Sequence, residues 1–502
     1  MTFAELTQRF RDALLAAEWT PDAVLERIGA AGQAGLWRNT TIATEYALAD
    51  DDDPQATLAR LWLLQEAVDR SLVDEALPGL VPELIDGGVL TDWGGQVAAA
   101  VDVRPYGSDD DGATGWVVSD LSPSLDHRGS PTKPDYVLGV SPASTTLAQL
   151  TVRRPVTRAL DLGTGCGVQS LHLARHCEQV VATDLNPRAL ELARWTWGLS
   201  GAEVDGRLGD LYEPVASEQF DLIATNPPFV MSPPGPEAER LTYRESGLTG
   251  DGLMHRVVAE ALPRLAPGGR LQVLGNWAHL RDRDWAERLA EWVGPDFDLL
   301  VLEREVLDPY EYIEMWLADA GLNGQEAWAP RYREWLSYFD TLGVEAVGMG
   351  WLQVVRPDNG PADSGRAGVQ RVESWPHQIV QPVGDAFAAA GDAADLDLSP
   401  DRMLATHWVL AEGIDQETLG RPGAADPEHV VLRSRRGFCR AIEVDTALGA
   451  ILGACDGDLP LGVLISAVAE VLEADEEALR DEVLGRWPAL VLDGFLLPGS
   501  HS

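Results

Sequence analysis

The feature that most constrains the fold is a regular alternation of strand-like and helix-like segments between about residues 150 and 357. Short apolar runs recur there, and helix-length stretches separate most of them. The runs are RALDLGTG, QVVATDLN, FDLIATNPPF, GRLQVLGNW, FDLLVLEREV and AVGMGWLQVVRP. Strands that are apolar along their whole length are typical of a parallel sheet covered by helices on both faces. We therefore predict an α/β domain with a mostly parallel sheet.

The segments on either side of this alternation follow other patterns. Residues 1–100 are mostly helix-like and lead into strand-like ribbons that end near residue 121, which weakly resembles a small winged-helix module. Residues 371–502 end in three helix-like segments and a short terminal strand, a second winged-helix-like pattern. Residues 122–135 and 358–370 contain much proline or glycine and predict linkers. The predicted domains are therefore 1–121, 135–357 and 371–502.

The formal charge of −42 is unevenly distributed along the chain. It is about −15 over residues 1–130, about −3 over 131–290 and about −24 over 291–502. A broad phosphate-binding face needs a cationic surface, so the flanking regions are poor candidates for binding nucleic acid. The four cysteines form no CxxC pair, no apolar run could span a membrane, and the first residues hold no apolar signal core. We expect no metal site, no membrane contact and a cytoplasmic location.

A glycine-rich turn joins the first strand of the alternation to a helix. Asp161 lies near the end of the strand, and Gly163, Gly165 and Gly167 precede the helical run VQSLHLARHC. Glycines let the backbone turn tightly and approach a ligand, and the helix N-terminus presents free N–H groups. The turn predicts a nucleotide-cofactor site, although a packing turn in any α/β protein has a similar sequence.

Two acids follow at the ends of the next two strands. Asp184 is placed to accept hydrogen bonds from both ribose hydroxyls of an adenosine, or to cap the helix that starts at Pro187, a role that Asn186 can take instead. Asp210 is placed to accept from an adenine amino group, or lies in an ordinary turn. The glycine spacing is GxGxG rather than the GxGxxG of pyrophosphate-binding loops. S-adenosylmethionine fits, because it combines adenosine with a charged amino acid and has no phosphate.

The segment Asn226-Pro227-Pro228-Phe229 follows the strand FDLIAT. The two prolines remove two N–H donors and restrict the backbone direction. The Asn226 side-chain oxygen and the Pro227 carbonyl can then accept both hydrogens of an –NH2 group, while Phe229 offers an aromatic face to a planar group. Accepting both hydrogens would direct the nitrogen lone pair at an electrophilic methyl. The alternative is a plain strand-ending turn.

With these four elements in order, the sequence resembles the class I S-adenosylmethionine-dependent methyltransferases, and in particular the small-methyltransferase group whose fourth motif is (N/D)PP(Y/F). The resemblance covers about residues 135–357 and implies a Rossmann-like, seven-stranded sheet. It also implies that the cofactor is S-adenosylmethionine and that catalysis rests on Asn226, Pro227, Pro228 and Phe229. The cofactor-binding residues that we assign on this basis are Asp161, Gly163, Thr164, Gly165, Gly167, Asp184, Leu185, Asp210, Leu211 and Asn226.

The resembling group acts on more than one kind of nitrogen. Its members include glutamine methyltransferases of translation release factors and amino methyltransferases of RNA or DNA bases. We expect a protein glutamine as the acceptor, and an exocyclic amine of rRNA, tRNA or DNA is the alternative. Phe229 replaces the tyrosine usual in the release-factor branch, which keeps the nucleic-acid alternative open. A third interpretation is a non-catalytic binding module on a methyltransferase scaffold.

Three further features invite a functional interpretation. Arg433, Arg435, Arg436 and Arg440 form a basic cluster that can bind RNA or an acidic protein surface, and we expect them instead to form salt bridges within the chain. The hydroxyls of the segment Ser144–Thr146 can bind a cofactor carboxylate or cap a helix. His172 and His176 have a metal-chelating spacing, but we expect them on a solvated helix face because no third ligand is near.

Overall fold

The structure, a computed structural model, describes residues 1–123, 125–127, 133–234, 247–358, 367–421 and 428–499. Parts of both predicted linkers, residues 128–132 and 359–366, lie outside the described residues. None of the helices in the described ranges has the length and apolar character that a membrane-spanning segment needs.

The amino-terminal region consists of helices followed by short antiparallel strands. A three-stranded sheet has the order β1-β3-β2, and the next two strands form a separate hairpin. Helix α4 begins at a proline, and the Asp53 side chain caps it by accepting from the Ala56 N–H. The elements are α1 (Phe3–Ala16), α2 (Pro21–Trp37), α3 (Ile42–Leu48), α4 (Pro54–Trp62), β1 (Val68–Asp69), α5 (Arg70–Ala76), α6 (Val81–Asp86), β2 (Leu90–Asp92), β3 (Gln96–Ala99), β4 (Asp102–Gly107) and β5 (Thr114–Ser119).

The central region alternates strands and helices as the sequence predicts. The strand before the glycine turn and the strand before the Asn-Pro-Pro segment are buried over most of their length. The elements are α7 (Pro142–Leu150), β6 (Val156–Leu162), α8 (Val168–Leu173), β7 (Cys177–Asp184), α9 (Pro187–Ser200), β8 (Val204–Leu208), β9 (Phe220–Thr225), α10 (Gly252–Ala261), β10 (Leu265–Leu280), α11 (Trp285–Val293), β11 (Asp298–Leu307), α12 (Pro309–Asp319), α13 (Trp328–Leu342), β12 (Val344–Val355) and β13 (Gln370–Ser374).

These strands form one sheet of order β13-β11-β12-β10-β9-β6-β7-β8. Every neighbouring pair is parallel except the two pairs that include β12, which runs antiparallel to both β10 and β11. The order reverses between β6 and β9, and a reversal of this kind opens a crevice at the carboxyl ends of the strands. The predicted Rossmann-like, mostly parallel architecture is therefore present.

The predicted count of seven strands is wrong for this sheet, because β13 adds an eighth. It pairs in parallel with β11 from Leu299↔Gln370 to Glu303↔Ser374. The sequence QRVES has a single large apolar residue, so its pattern does not predict a strand. Its backbone N–H and C=O groups find hydrogen-bond partners because β11 presents an open sheet edge. The sheet therefore extends past residue 371, where we predicted that the carboxyl-terminal domain begins, and the domain boundaries stay a prediction.

The carboxyl-terminal region ends in the predicted three helices and terminal strand. Its strands form two antiparallel sheets, of order β18-β14-β19 and β15-β16-β17. The elements are α14 (Gly384–Ala394), α15 (Pro400–Ala405), β14 (His407–Leu410), β15 (Ile414–Leu419), β16 (His429–Ser434), β17 (Ala441–Val444), α16 (Thr446–Gly453), β18 (Asp456–Pro460), α17 (Leu461–Leu472), α18 (Glu476–Leu492) and β19 (Leu496–Pro498).

The β4–β5 hairpin packs against α9 and so covers one face of the large sheet. The Val118 N–H donates to Thr196 Oγ1 at 2.9 Å, and the Trp116 N–H donates to Ser200 Oγ at 3.1 Å. One continuous hydrophobic cluster includes residues of the amino-terminal helices, of this hairpin and of α9. The amino-terminal region is therefore part of the scaffold that positions the glycine turn.

Candidate functional site

A cavity of about 420 Å³ lies at the carboxyl ends of β6, β7, β8 and β9. Pockets of about 300–1,000 Å³ are typical of small-molecule sites, and this one lies where an open α/β sheet binds its ligands. Ten of the predicted site residues line it, and Gly167, Pro227 and Phe229 do not. The ten are Asp161, Gly163, Thr164, Gly165, Asp184, Leu185, Asp210, Leu211, Asn226 and Pro228.

Gly163 and Gly165 leave open space beside the backbone of the turn. Both have positive φ, at +74° and +55°, and a Cβ added at either would meet no heavy atom within 4 Å. Positive φ favours glycine, and the missing side chains let a ligand approach the main chain. The two glycines therefore leave room for a ligand beside the backbone of the turn.

Gly167 has a different role from the other two glycines. It sits at φ +82° as the N-cap of α8, and a Cβ there would lie 2.6 Å from Trp197 Nε1 and 3.0 Å from Ala193 Cβ. Glycine at this position permits α8 to pack closely against α9. The structure thus places Gly167 at a helix contact rather than among the cavity-lining residues.

Asp161 lies beneath the turn and holds it in place. The side chain is 2% exposed and accepts hydrogen bonds from Thr164 Oγ1 at 2.7 Å and Ser170 Oγ at 2.5 Å. Burial raises the pKa of Asp161 to about 6 despite these hydrogen bonds. Because the Thr164 hydroxyl donates to Asp161, its hydrogen holds the turn and is not offered to a ligand.

Asp184 connects the turn to the end of β7. One carboxylate oxygen accepts from the Gly165 N–H at 2.9 Å, and the other accepts from the Asn186 N–H at 2.8 Å. Asn186 itself caps α9 by accepting from the Arg188 N–H, so the capping alternative falls to Asn186 as we expected. Burial raises the pKa of Asp184. Each carboxylate oxygen has a further lone pair, and these can accept from a ribose hydroxyl.

Asp210 lies at the far side of the cavity beside an arginine that sequence reasoning missed. Arg256 Nη1, from α10, is 2.7 Å from Asp210 Oδ2, and Arg256 also lines the cavity. The same guanidinium pairs with Glu260 one helical turn later. Nothing in the local sequence points to this contact, because Asp210 and Arg256 are far apart along the chain.

Asn226 follows β9 directly and begins the Asn-Pro-Pro segment. Asn226 Oδ1 is buried and has no hydrogen-bond partner among the described residues. Pro227 is buried, and Phe229 packs edge-on against Trp316 of α12, with ring centroids 6.1 Å apart. The chain beyond it is fixed by the Met231 N–H, which donates to the Tyr312 hydroxyl at 3.0 Å. The Asn-Pro-Pro segment is thus held between the cavity and α12.

The hydroxyls of the segment before the first strand stabilise the start of α7. Ser141 and Ser144 form a reciprocal capping box, Thr145 Oγ1 donates to the Ser141 carbonyl, and Thr146 Oγ1 donates to the Pro142 carbonyl. The N-cap is thus Ser141, which lies before the predicted segment, and of the predicted hydroxyls only that of Ser144 takes part in the cap. Ser141 and Ser144 also line the cavity, as does Gln169 of α8, which sequence reasoning did not single out.

His172 is buried, so our expectation of a solvated helix face is wrong. Its ring is 2% exposed, Nδ1 lies 2.7 Å from Asp111 Oδ2, and Nε2 lies 2.6 Å from the Tyr106 hydroxyl. Burial alone would raise the pKa of Asp111, but the hydrogen bond from His172 and the charge of Arg153 hold it well below its ordinary value. This Asp–His–Tyr chain fastens the β4–β5 hairpin to α8. Within the described ranges, no group of three His, Cys, Asp or Glu side chains could hold a metal ion.

The basic cluster of the carboxyl-terminal region is neutralised within the chain. Arg433 pairs with Glu417, Arg435 with Asp415 and Arg436 with Glu412, while the buried Arg440 pairs with Glu373 and Asp493. The predicted intramolecular salt bridges are confirmed. None of these arginines lines the cavity.

Comparison with known proteins identifies two regions of the chain. Residues 139–289 match the methyltransferase small domain, and residues 16–100 match a domain of unknown function, DUF7059. The release factor glutamine methyltransferase of Bordetella pertussis is 38% identical over 133 residues, which cover 25% of this chain and 49% of that protein. The ribosomal protein uL3 glutamine methyltransferase of Bradyrhizobium diazoefficiens is 33% identical over 149 residues, which cover 28% and 47%.

The similarity also extends to enzymes named for RNA. The ribosomal RNA small subunit methyltransferase C of Alcanivorax borkumensis is 33% identical over 121 residues, covering 24% of this chain and 32% of that protein. Among solved structures, a T. thermophilus 16S rRNA guanosine methyltransferase in complex with AdoMet and guanosine is 20% identical, with a TM-score of 0.28, covering 47% of this chain and 60% of its own. The chain thus spans half or less of the length of the relatives from B. pertussis, B. diazoefficiens and A. borkumensis. The resemblance of the central region to class I methyltransferases is confirmed.

Proposed function

We propose, on the premise of a methyltransferase small domain over residues 139–289, that this chain is an S-adenosylmethionine-dependent N-methyltransferase. Its acceptor is the side-chain amide nitrogen of a glutamine on a protein partner, such as a translation release factor. The observation that carries this proposal is the buried Oδ1 of Asn226, a cavity-lining residue, which has no hydrogen-bond partner in the part of the chain that the structure describes.

The cavity fits S-adenosylmethionine. Gly163 and Gly165 leave room for a ligand against the turn, Asp184 has lone pairs for the ribose, and Asp210 lies farther along the sheet edge, on the adenine side. No cationic phosphate-binding cluster lines the cavity, where Arg256 is the only lysine or arginine among the described lining residues and is already paired with Asp210. When bound, the cofactor supplies a methyl group on a positively charged sulfur.

The Asn-Pro-Pro segment then orients the acceptor nitrogen. A primary amide nitrogen has two hydrogens, and it can donate them to Asn226 Oδ1 and to the carbonyl of Pro227. Both hydrogen bonds draw the nitrogen lone pair out of conjugation and hold it toward the methyl group. Positive charge develops on the nitrogen as the new bond forms, and two fixed acceptors stabilise it. Proximity and orientation supply much of the rate, and the proton can leave to water afterwards.

Charge and sequence similarity favour a protein acceptor over a nucleic acid. Both flanking regions are strongly acidic, and the arginines of the carboxyl-terminal cluster are paired with carboxylates of the chain. An acidic surface whose arginine cluster is already paired is poorly suited to phosphate contacts. Several relatives, including those from B. pertussis and B. diazoefficiens, are named for glutamine.

The alternative acceptor is the exocyclic amine of an rRNA, tRNA or DNA base. The relative from A. borkumensis, which is named for ribosomal RNA, supports it. A base amine also has two hydrogens for the same pair of acceptors, so the cavity chemistry is compatible with either acceptor. The choice between the two acceptors therefore depends on which kind of partner the flanking regions bind.

The test is transfer of a labelled methyl group from S-adenosylmethionine by the full chain. The acceptor mixture is a lysate of source cells in which the gene has been deleted, so that the natural sites are unmethylated. Each reaction is divided and treated with nuclease or with protease before the label is separated by size. We expect label that survives nuclease, is released by protease, and is recovered as N5-methylglutamine after enzymatic digestion.

The outcomes separate the two acceptors and the activity itself. Label that is released by nuclease but survives protease would replace the protein acceptor with a nucleic acid. Absence of both label transfer and cofactor binding by the purified chain would contradict the enzymatic proposal as a whole. A reaction without added chain provides the background.

A further inference from the structure

Two of the residues that line the cavity have a buried side-chain oxygen without a hydrogen-bond partner among the described residues. One is Asn226 Oδ1, and the other is Oε1 of Gln169. Buried polar atoms are almost always paired in folded proteins, so each unpaired one requires an explanation. The proposed function uses Asn226 and leaves Gln169 unexplained.

The orientation of the Gln169 amide follows from its neighbour. The Thr151 hydroxyl donates its one hydrogen to the Leu147 carbonyl at 2.7 Å, so toward Gln169 it can only accept. Gln169 Nε2 lies 3.0 Å from Thr151 Oγ1 and donates to it. The amide oxygen must therefore point away from Thr151. Gln169 is only 4% exposed, so this oxygen is an acceptor fixed in a dry environment.

The sheet order indicates which part of the cofactor lies near this oxygen. Asp210 follows β8 and Asp184 ends β7, so the adenosine extends across that side of the sheet edge. The amino acid part is then left to the other side, toward β6 and β9. Gln169 is the second residue of α8, which follows β6 directly after the glycine turn. It therefore lies on the side of the cavity opposite Asp210.

We propose that Gln169 Oε1 accepts a hydrogen bond from the α-ammonium group of the cofactor's amino acid part. This inference rests on the proposed function, because it assumes that the cavity holds S-adenosylmethionine. An ammonium group is a donor without acceptor capacity and suits a lone carbonyl oxygen, whereas a carboxylate would be repelled by it. Gln169 is accordingly a cofactor-positioning residue, and Thr151 keeps its amide in the binding orientation.

The test measures the affinity of the full chain for three ligands by calorimetry. S-adenosylhomocysteine carries the ammonium group, 5′-methylthioadenosine lacks the whole amino acid part, and the 2-oxo analogue of S-adenosylhomocysteine replaces the ammonium with a carbonyl. All three have an uncharged sulfur and the same adenosine, and S-adenosylhomocysteine and its 2-oxo analogue differ only at the ammonium position. We expect Gln169→Leu to lose roughly 10- to 100-fold in affinity for S-adenosylhomocysteine, since a hydrogen bond to a charged group is lost. Its affinity for the other two ligands should change less than about threefold.

Two further variants provide the controls. Gln149→Leu changes another glutamine, on α7, which pairs with Asp110 outside the cavity, and it should bind all three ligands as the wild type does. Thr151→Val removes the hydroxyl that orients the Gln169 amide but keeps the amide itself. We expect a smaller loss of affinity, again only for S-adenosylhomocysteine. Retained binding of 5′-methylthioadenosine also reports that each variant is folded.

The results distinguish failure of this inference from failure of the proposed function. Wild-type affinity of Gln169→Leu for S-adenosylhomocysteine would overturn the role of Gln169 alone. An equal loss for all three ligands would also overturn it, because the residue would then shape the cavity without recognising the ammonium group. If the wild-type chain binds none of the three ligands, both the inference and the proposed cofactor are wrong.

Discussion

Asn226 is the residue on which the proposed chemistry depends most directly. Replacing Asn226 with Ala removes the buried acceptor but leaves the turn and Asp184 in place. We expect methyl incorporation into lysate protein to fall by about 100-fold or more, the effect typical of removing one fixed group that stabilises developing charge. Binding of S-adenosylhomocysteine should stay within about threefold of wild type.

The variant Asn226→Asp tests whether the acceptor oxygen is what counts. It retains an oxygen at the same position, so it should keep more activity than Asn226→Ala. Full activity of Asn226→Ala would contradict the proposed role, because the nitrogen would then be oriented by other groups.

Gly163 and Gly167 have positive φ but face different surroundings, and this difference predicts two distinct phenotypes. Gly167→Ala places a Cβ against Trp197 and should lower the free energy of unfolding by about 1–3 kcal/mol from overpacking, in addition to the backbone strain. Gly163→Ala places its Cβ in open cavity space, so it should lose ligand affinity with a smaller loss of stability. Thermal unfolding without ligand and calorimetry with S-adenosylhomocysteine measure the two effects. Equal losses of stability in the two variants would contradict this division of roles.

At the scale of helices and strands, local sequence patterns predicted the positions of several elements. They did not predict the contacts between residues that are far apart in sequence. The bounds of β9 follow from the apolar run FDLIAT, and the start of α9 at Pro187 follows from a proline after a capping residue. Asp184, Asp210 and Asn226 were expected together because adjacent parallel strands end at one edge. The pairs Asp210–Arg256 and Asp111–His172 were not, since each joins residues far apart in sequence. The strand β13 was missed because its residues are mostly polar.

The Asp–His–Tyr chain between the β4–β5 hairpin and α8 should stabilise α8 and the glycine turn that precedes it. Tyr106→Phe removes the hydroxyl beside His172 and leaves a buried ring nitrogen without its partner, which costs about 1–3 kcal/mol. We expect faster amide hydrogen exchange in α8 and in the hairpin, and no change in the carboxyl-terminal region. Tyr310→Phe, at an exposed tyrosine of α12, is the matched control. Unchanged exchange in α8 would mean that the hairpin is held by its contacts with α9 alone.

At the scale of the whole molecule, arginines form ion pairs that connect distant regions of this acidic chain. Arg371 of β13 donates to the Leu492 carbonyl at 2.7 Å and to Asp493 Oδ1 at 2.5 Å. Arg440 is 7% exposed, pairs with Glu373 and Asp493, and lies 4.6 Å from the centre of the Trp375 ring. The eighth strand of the sheet is thus joined to the end of the last helix through a network of ion pairs in which Arg440 is buried and the other charges are partly exposed.

Arg440 and Arg433 belong to one basic cluster in the sequence, yet we expect their removal to lower the free energy of unfolding by different amounts. Arg440→Leu removes a buried guanidinium from Glu373 and Asp493, which keep Arg371 as their partner, and the loss of these charged hydrogen bonds should cost about 1–3 kcal/mol. Arg433→Leu breaks a half-exposed pair with Glu417 and should cost less than about 1 kcal/mol. Hydrogen exchange should therefore accelerate in β13 and in the last turn of α18 for Arg440→Leu only. Equal effects of the two variants would mean that the carboxyl-terminal region is held to the sheet by apolar contacts, with the buried charges contributing no net stability.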